Sequence, residues 1–329
     1  MTQAIAKRST LGATVALAAM LGGPFAAAQD YPTRPITVVV PFAGGSASDV
    51  VTRIMLERMS KSLGQPMIVE NRPGAGGNMG TAMAAKAVAD GYTLVASGSG
   101  PVAANKTLYR DLGYDPEKDL EAISPFAGFT IVVAASAKLP VNTLSELVAY
   151  AKERPNQLNY GSVGNGSSQH LGGAYFEQVA GVKLTHVPYR NIAQYGPDLI
   201  AGTVQLGFQW LPNVAGPLGS GGAKALAVAG TRRLAALPNV PTAAEAGFPD
   251  YLASGWFALL APRDIPKPIV TRINRELAAA VADPLVRERF LQQGAEPMAL
   301  TPEEATTFIS SETAKWREII HKAKIPMIE

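Results

Sequence analysis

Short apolar runs alternate with glycine-rich loops and amphipathic stretches along most of this chain of 329 residues. Ile36–Val40 is β-branched and almost wholly apolar, which is typical of a buried parallel strand. The loop Phe42–Ser46 follows it, and apolar residues between Val50 and Met59 then recur at helical spacing. Because the order of strand, loop and helix is repeated further along the chain, the pattern predicts a doubly wound α/β fold.

Further apolar runs of similar length predict strands at Met67–Glu70, Tyr92–Ala96, Phe126–Ala135, Asn159–Ser162, Leu184–Val187, Val204–Gln209, Ala225–Ala229 and Trp256–Leu260. Amphipathic stretches predict helices at Thr81–Ala89, Gln169–Val179, Pro268–Val281 and Pro284–Gln292. A threonine followed three residues later by glutamate predicts helix starts at Thr143, at Thr242 for a short helix, and at Thr301 for the last one.

The length of the chain favours two lobes, since a single core rarely grows beyond roughly 250–300 residues. The long strands Phe126–Ala135 and Trp256–Leu260 are the places where the chain would cross between lobes. We therefore expect residues 29–128 and 255–329 to form one discontinuous lobe and residues 129–254 the other. Two crossing strands would act as a hinge, and hinged lobes close around ligands.

The first 28 residues predict a signal peptide. Lys7 and Arg8 precede the apolar stretch Leu11–Leu21, and Ala26–Ala28 supplies the small residues that a signal peptidase requires, with cleavage after Ala28. The apolar stretch is shorter than the ~20 residues that span a membrane. We therefore expect an exported, soluble and nearly neutral mature protein.

Composition excludes several classes of function. The chain has no cysteine, so disulfides, thiolate metal sites and a cysteine nucleophile are excluded. A formal charge of +3 without a run of basic residues disfavours nucleic-acid binding. The three histidines lack metal-ligand spacing, and Asn105 replaces the second glycine of an incomplete P-loop. We predict no metal, no cofactor and no catalytic residue, while a hydrolase with Ser167 or Ser168 as nucleophile and His186 as base stays open.

Glycine- and serine-rich loops follow several predicted strands, at Phe42–Asp49, Asn71–Gly80, Ser97–Gly100 and Gly161–Ser168. In open α/β sheets such loops build a crevice where ligands bind, and their backbone amides favour an anion. Hydroxyl groups in these loops would add neutral donors, and they belong to Ser46, Ser97, Ser99, Ser162, Ser167 and Ser168.

The chain resembles the extracytoplasmic solute-binding receptors of tripartite tricarboxylate transporters, the Bug/TctC family. The resemblance rests on ordered motifs across the mature chain, among them Gly161–Ser168, and the most specific are Asn71–Gly77 and Pro241–Gly247. It implies a two-lobed periplasmic binding protein of type II fold, with two doubly wound sheets joined by a two-strand hinge. It also implies a small carboxylate ligand and transient contact with inner-membrane permease subunits.

By motif position the resemblance places the carboxylate contacts on Phe42, Ala43, Gly44, Ser97, Ser99, Ser162, Asn165, Ser167 and Ser168. Asp49 is expected to fix the shape of the first loop. We extend the candidate ligand contacts to Tyr189, Arg190, Gln209 and Trp210. Arg190 would pair bidentately with a second carboxylate of the ligand, unless it is only a solvated surface residue.

Departures from the family pattern indicate the kind of carboxylate. Gln205 and Gln209 stand where members commonly carry acids, so a ligand ammonium group would lack a counter-charge. Phe42, Tyr195 and Trp210 would offer flat apolar walls, although lobe packing explains Trp210 equally well. We therefore expect an aromatic or planar carboxylate and a monomeric receptor. A metabolite sensor that reports to a signalling partner is the alternative.

Overall fold

The computed structural model describes residues 31–322 and 324–329. The predicted signal peptide and its cleavage site after Ala28 lie outside the described residues. Within the described part of the chain, no helix combines the length and the apolar character that crossing a membrane requires.

Short strands and helices alternate along the chain. The strands are β1 (Ile36–Val40), β2 (Met67–Asn71), β3 (Thr93–Gly98), β4 (Leu120–Thr130), β5 (Val132–Ser136), β6 (Asn159–Ser162), β7 (Thr185–Pro188), β8 (Leu206–Gln209), β9 (Ala223–Val228), β10 (Ser254–Pro262) and β11 (Ala295–Pro297). The helices are α1 (Ala47–Leu63), α2 (Asn78–Ala85), α3 (Asn105–Leu108), α4 (Leu144–Lys152), α5 (Ser168–Ala180), α6 (Tyr195–Ala201), α7 (Leu211–Gly219), α8 (Lys267–Ala282), α9 (Pro284–Gln292) and α10 (Pro302–Lys322).

The strands form two mixed sheets. The first has the order β11-β4-β10-β3-β1-β2, and β1 runs parallel to β2 and β3. The second has the order β7-β6-β8-β5-β9, and β6 runs parallel to β7 and β8. We call the residues around these sheets the first and the second lobe. The predicted α/β class is confirmed, since buried apolar strands such as β1 are covered by amphipathic helices.

The chain passes between the two sheets at two adjacent places. Ile131 separates β4 from β5, so the predicted strand Phe126–Ala135 is in fact two strands that belong to different sheets. The amide of Ile131 donates to the carbonyl of Ala253 at 3.0 Å, and the amide of Ala229 donates to the carbonyl of Ile131 at 2.8 Å. These bonds tie the two crossings together. The lobe boundaries at 128/129 and 254/255 stay a prediction.

Two of the predicted capping boxes begin helices. The Glu146 amide donates to Thr143 Oγ1 at 3.1 Å at the start of α4, and Thr301 starts α10 in the same way. The predicted short helix after Thr242 is wrong. Its capping bond forms, but the chain makes only turns before Gly247, whose φ of +93° ends any helix.

Candidate functional site

The glycine-rich loops of the two lobes face each other across a cleft. Ser99 Oγ lies 2.8 Å from Ser168 Oγ of the opposite lobe, and the Tyr109 hydroxyl donates to the Asn165 carbonyl at 2.9 Å. At Gly76 a Cβ atom would lie 2.0 Å from the Asn165 carbonyl oxygen. Only glycine at this position lets the two backbones approach so closely.

A cavity of about 580 Å³ opens between these loops. Of the candidate contacts, the residues that line it are Phe42, Ala43, Ser46, Asn165, Tyr189 and Arg190. Gly44 lies in an adjoining groove of about 610 Å³, and Arg190 lines both spaces. Arg190 is the one charged side chain among the described residues that line the cavity. The cavity therefore offers one positive charge in otherwise uncharged surroundings.

The loop of the first lobe is fixed by the carboxylate of Asp49. Asp49 accepts hydrogen bonds from the Gly45 amide at 2.9 Å, Arg53 Nε at 2.9 Å and Asn71 Nδ2 at 3.0 Å. Burial alone would raise the pKa of Asp49, but these hydrogen bonds outweigh burial and hold the pKa below its usual value. Asn71 also donates to the Phe42 carbonyl at 3.1 Å, so the expected structural role of Asp49 is confirmed.

The loop of the second lobe is fixed by two neutral histidines. His186 Nε2 lies 2.6 Å from Ser162 Oγ, and the Gly166 amide donates to His170 Nδ1 at 3.1 Å. The two imidazole rings stack with 4.2 Å between their centres. Burial lowers the pKa of His170 to about 4. Burial, with a smaller effect from His170, lowers the pKa of His186 to about 3, so both rings are uncharged at neutral pH.

The remaining candidate hydroxyls lie behind the cavity wall, where they are buried and paired within the protein. Ser97 belongs to β3 rather than to the loop predicted there, and its hydroxyl lies 2.7 Å from Thr81 Oγ1. Ser167 donates to the Gly164 carbonyl at 2.7 Å and accepts from the His170 amide at 3.3 Å. These hydroxyls shape the loops in the closed cleft.

Two of the expected aromatic walls are part of the core. Trp210 is only 3% exposed, stacks on Phe129 with 4.9 Å between ring centres and meets the edge of Phe257. Tyr195 is fully buried, and its hydroxyl donates to the Leu206 carbonyl. Gln209 is buried as well. The rings that do line the cavity are those of Phe42, Tyr109 and Tyr189.

The described residues do not bring His186 into hydrogen-bond contact with Ser167 or Ser168, as the hydrolase alternative requires. Ser167 bonds to the Gly164 carbonyl and Ser168 lies beside Ser99, whereas His186 contacts Ser162. Among the described residues, no group of three or more acidic or histidine side chains is placed to hold a metal ion.

Comparison with known proteins identifies the family. The model described as "Tripartite tricarboxylate transporter family receptor" matches residues 51–325. The chain belongs to this family. Protein BugT of Bordetella pertussis is 35% identical over 323 residues, which cover 98% of each chain. The resemblance found in the sequence motifs is therefore confirmed. TctC receptors are periplasmic solute-binding proteins rather than enzymes.

Solved structures of similar receptors share the fold. R. palustris Rpa4515 with adipate has a TM-score of 0.87 and 36% identity, and the match covers 90% of this chain and 99% of that chain. MatC from Rhodopseudomonas palustris with bound malate has a TM-score of 0.82 and 32% identity, over 88% and 100% of the two chains. The two-lobed fold expected of a TctC receptor is confirmed.

Sequence reasoning missed several residues of the cleft. Tyr109, Ile192 and Ile328 line the cavity, and none of them belongs to a loop that the sequence pattern predicts as part of the ligand crevice. Ile328 reaches the site because its amide donates to the Leu108 carbonyl at 2.8 Å. Only the fold brings this segment beside Tyr109, so no local pattern could have found it.

Proposed function

We propose that this TctC receptor captures a small carboxylate with an aromatic or planar body and presents it to a tripartite permease. The proposal rests on the cavity between the two lobes. Arg190 is its charged residue, and no acidic side chain is among the described residues that line it. A carboxylate finds a counter-charge there, whereas a ligand ammonium group would find none.

Arg190 is free to bind an anion. It is exposed, and among residues 31–322 and 324–329 no carboxylate forms a salt bridge with it. A guanidinium group presents parallel N–H donors that match the two oxygens of a carboxylate. Ser46 also lines this cavity.

The rings around the cavity favour a planar ligand body. Phe42 is held edge-on against Phe257 with 6.1 Å between ring centres, and the Tyr189 hydroxyl donates to Asp198 Oδ2 at 2.6 Å. Side chains held in this way offer rigid flat surfaces on which an aromatic ring packs well. The volume of about 580 Å³ lies within the range of small-molecule sites. Adipate and malate, bound in the two similar receptors, support the carboxylate class.

The transport role places the mature receptor outside the inner membrane. We propose cleavage after Ala28 and a monomeric mature protein that closes on its ligand before it meets the permease. Mass spectrometry of the exported protein tests the cleavage site.

A thermal-shift screen of the mature protein, unfolded and refolded to remove carried-over ligand, tests the ligand class. The panel contains benzoate, phthalate, terephthalate, nicotinate, adipate, malate, citrate and glutamate. Ligands that bind only the native state raise the melting temperature by mass action. We expect the largest shifts with the aromatic acids and none with glutamate. A shift confined to malate, citrate or adipate would contradict the planar body, and a shift with glutamate would contradict the charge argument.

A further inference from the structure

A chain of hydrogen bonds runs from the second sheet across the cleft to the start of α1. Gln209 Nε2 donates to the Gly161 carbonyl at 2.9 Å, and Asn213 Nδ2 donates to Gln209 Oε1 at 2.9 Å. Asn213 Oδ1 then accepts from the amide of Ala47 at 3.2 Å. Gly161, Gln209 and Asn213 belong to the second lobe, and Ala47 belongs to the first.

The donor-to-acceptor direction of the hydrogen bonds in this chain is fixed at both ends. The Gly161 carbonyl can only accept and the Ala47 amide can only donate, so each side-chain amide has one orientation that satisfies both of its neighbours. Turning either amide over would place two acceptors or two donors face to face. Glutamine at position 209 is needed because a glutamate carboxylate has no hydrogen to give to the Gly161 carbonyl.

Asn213 supplies a helix cap from the opposite lobe. The first amides of an α-helix have no partner within the helix and are usually capped by a nearby side chain. Ser46 occupies the capping position of α1, but its hydroxyl lies 2.9 Å from Ser48 Oγ and bonds to no amide of the helix. The Asn213 carbonyl is therefore the cap at Ala47, and it is in reach only while the two lobes are together.

We propose that Gln209 and Asn213 form a latch that holds the cleft closed. Asn213 is a positioning residue in this account, since it does not line the cavity. The role extends the proposed function, because a more stable closed form retains a bound carboxylate for longer. Of these hydrogen bonds, the one between Asn213 Oδ1 and the Ala47 amide joins the two lobes, and its loss corresponds to a roughly fivefold change in the closed population.

The test measures the distance between the lobes directly. The chain has no cysteine, so spin labels can be attached to cysteines introduced at the exposed positions Val88 and Ile200, one in each lobe. The label pair is placed in the parent, in Asn213→Ala, in Gln209→Glu and in Ser220→Ala. Ser220 follows the same helix α7 and bonds only within it, to the Pro217 carbonyl, which makes it the matched control.

Without added ligand, we expect Asn213→Ala, which removes the bond across the cleft, to lower the short-distance population about fivefold. Gln209→Glu removes only the bond to the Gly161 carbonyl within the second lobe, so it should lower this population less, by freeing Asn213 to reorient, and Ser220→Ala should leave it unchanged. With terephthalate, the dissociation rate should rise about fivefold in Asn213→Ala, with a smaller change in the association rate. A parent without a short-distance population, or equal populations in all four proteins, would overturn the latch. A parent that does not bind terephthalate contradicts the ligand class and leaves the ligand-free distance measurement to decide on the latch.

Discussion

The two loops that form the cleft perform the same task with opposite chemistry. In the first lobe, the loop beside Phe42 is held by the carboxylate of Asp49 and its partners Arg53 and Asn71. In the second lobe, the loop from Gly161 to Ser168 is held by the uncharged pair His170 and His186. Both arrangements fix a loop that lines the cavity, at Phe42 and Ala43 in the first lobe and at Gly164 and Asn165 in the second.

The two sides of the site respond differently to acid. The Asp49 carboxyl stays ionised at pH values below the usual pKa of an aspartate, because the hydrogen bonds to the carboxylate outweigh its burial. The histidines are neutral only because burial opposes their protonation. Acidification therefore adds positive charge to the buried pair of the second lobe, whereas in the first lobe it removes the negative charge of the Asp49 carboxylate.

The largest expected effect is the loss of stability on mild acidification. An unfolded histidine binds a proton near pH 6.5, whereas folded His170 binds one only near pH 4, so the unfolded state takes up more protons between these values. The contribution of His170 to the free energy of unfolding is complete above pH 6.5. It falls by roughly 3 kcal/mol as the pH drops to 4.

His170→Asn separates this effect from other titrations, because the Asn carbonyl takes the place of Nδ1 as acceptor for the Gly166 amide. Urea unfolding at pH 7 and pH 4.5 should show a smaller pH dependence in this variant than in the parent. His321→Asn, at an exposed position on α10, is the control and should behave as the parent does. An unchanged pH dependence in His170→Asn would show that the pair is not responsible.

Substitution of Asp49 tests the other side of the comparison. Asp49→Asn loses the charged acceptor of the first loop, and hydrogen bonds to charged groups contribute more than neutral ones, so we expect a loss of about 2 kcal/mol at pH 7. Arg53 is half exposed, so solvent screens its ion pair with Asp49 and the hydrogen bonds to the carboxylate dominate. Glu288→Gln, an exposed acid-to-amide change on α9, is the control for urea unfolding. Equal stabilities of Asp49→Asn and the control would mean that the network does not hold the loop.

The smallest effect concerns the contact between the loops. Tyr109→Phe removes the hydrogen bond to the Asn165 carbonyl across the cleft, which should weaken binding of a cleft ligand such as terephthalate about fivefold. Tyr175→Phe removes a bond of similar length, 2.8 Å to the Asp250 carbonyl, within the second lobe. Titration calorimetry should show weaker binding only for Tyr109→Phe. Equal affinities of both variants would mean that the cross-cleft bond does not stabilise the liganded form.

The sequence predicted the strands well where an apolar run is enclosed by polar or glycine-rich neighbours, as at Ile36–Val40 and Asn159–Ser162. It joined β4 and β5 because the apolar character continues through Ile131, although the two strands belong to different sheets. It missed β11, a strand of three residues whose pairing with β4 depends on tertiary contacts.

The candidate site was predictable only in part, for a physical reason. Serines next to strand ends mark the loops, but the fold decides whether a serine lines the cavity, as Ser46 does, or lies behind its wall, as Ser97 does. The stacking of His170 on His186 depends on the parallel pairing of β6 and β7, which sequence spacing does not show. Asn213 lies 166 residues from Ala47, so only the closed cleft identifies it as a cap.

The central claim is that Arg190 is the counter-charge for a carboxylate in this cleft, and titration calorimetry of Arg190→Gln with terephthalate tests it most directly. Arg317→Gln, at an exposed position on α10, is the matched control. We predict a loss of affinity of at least about tenfold for Arg190→Gln and none for Arg317→Gln, since hydrogen bonds to charged groups contribute about 1.5–3 kcal/mol. The melting temperature without ligand should stay the same in both variants. Unchanged affinity in Arg190→Gln, in a parent that binds terephthalate, would contradict the account.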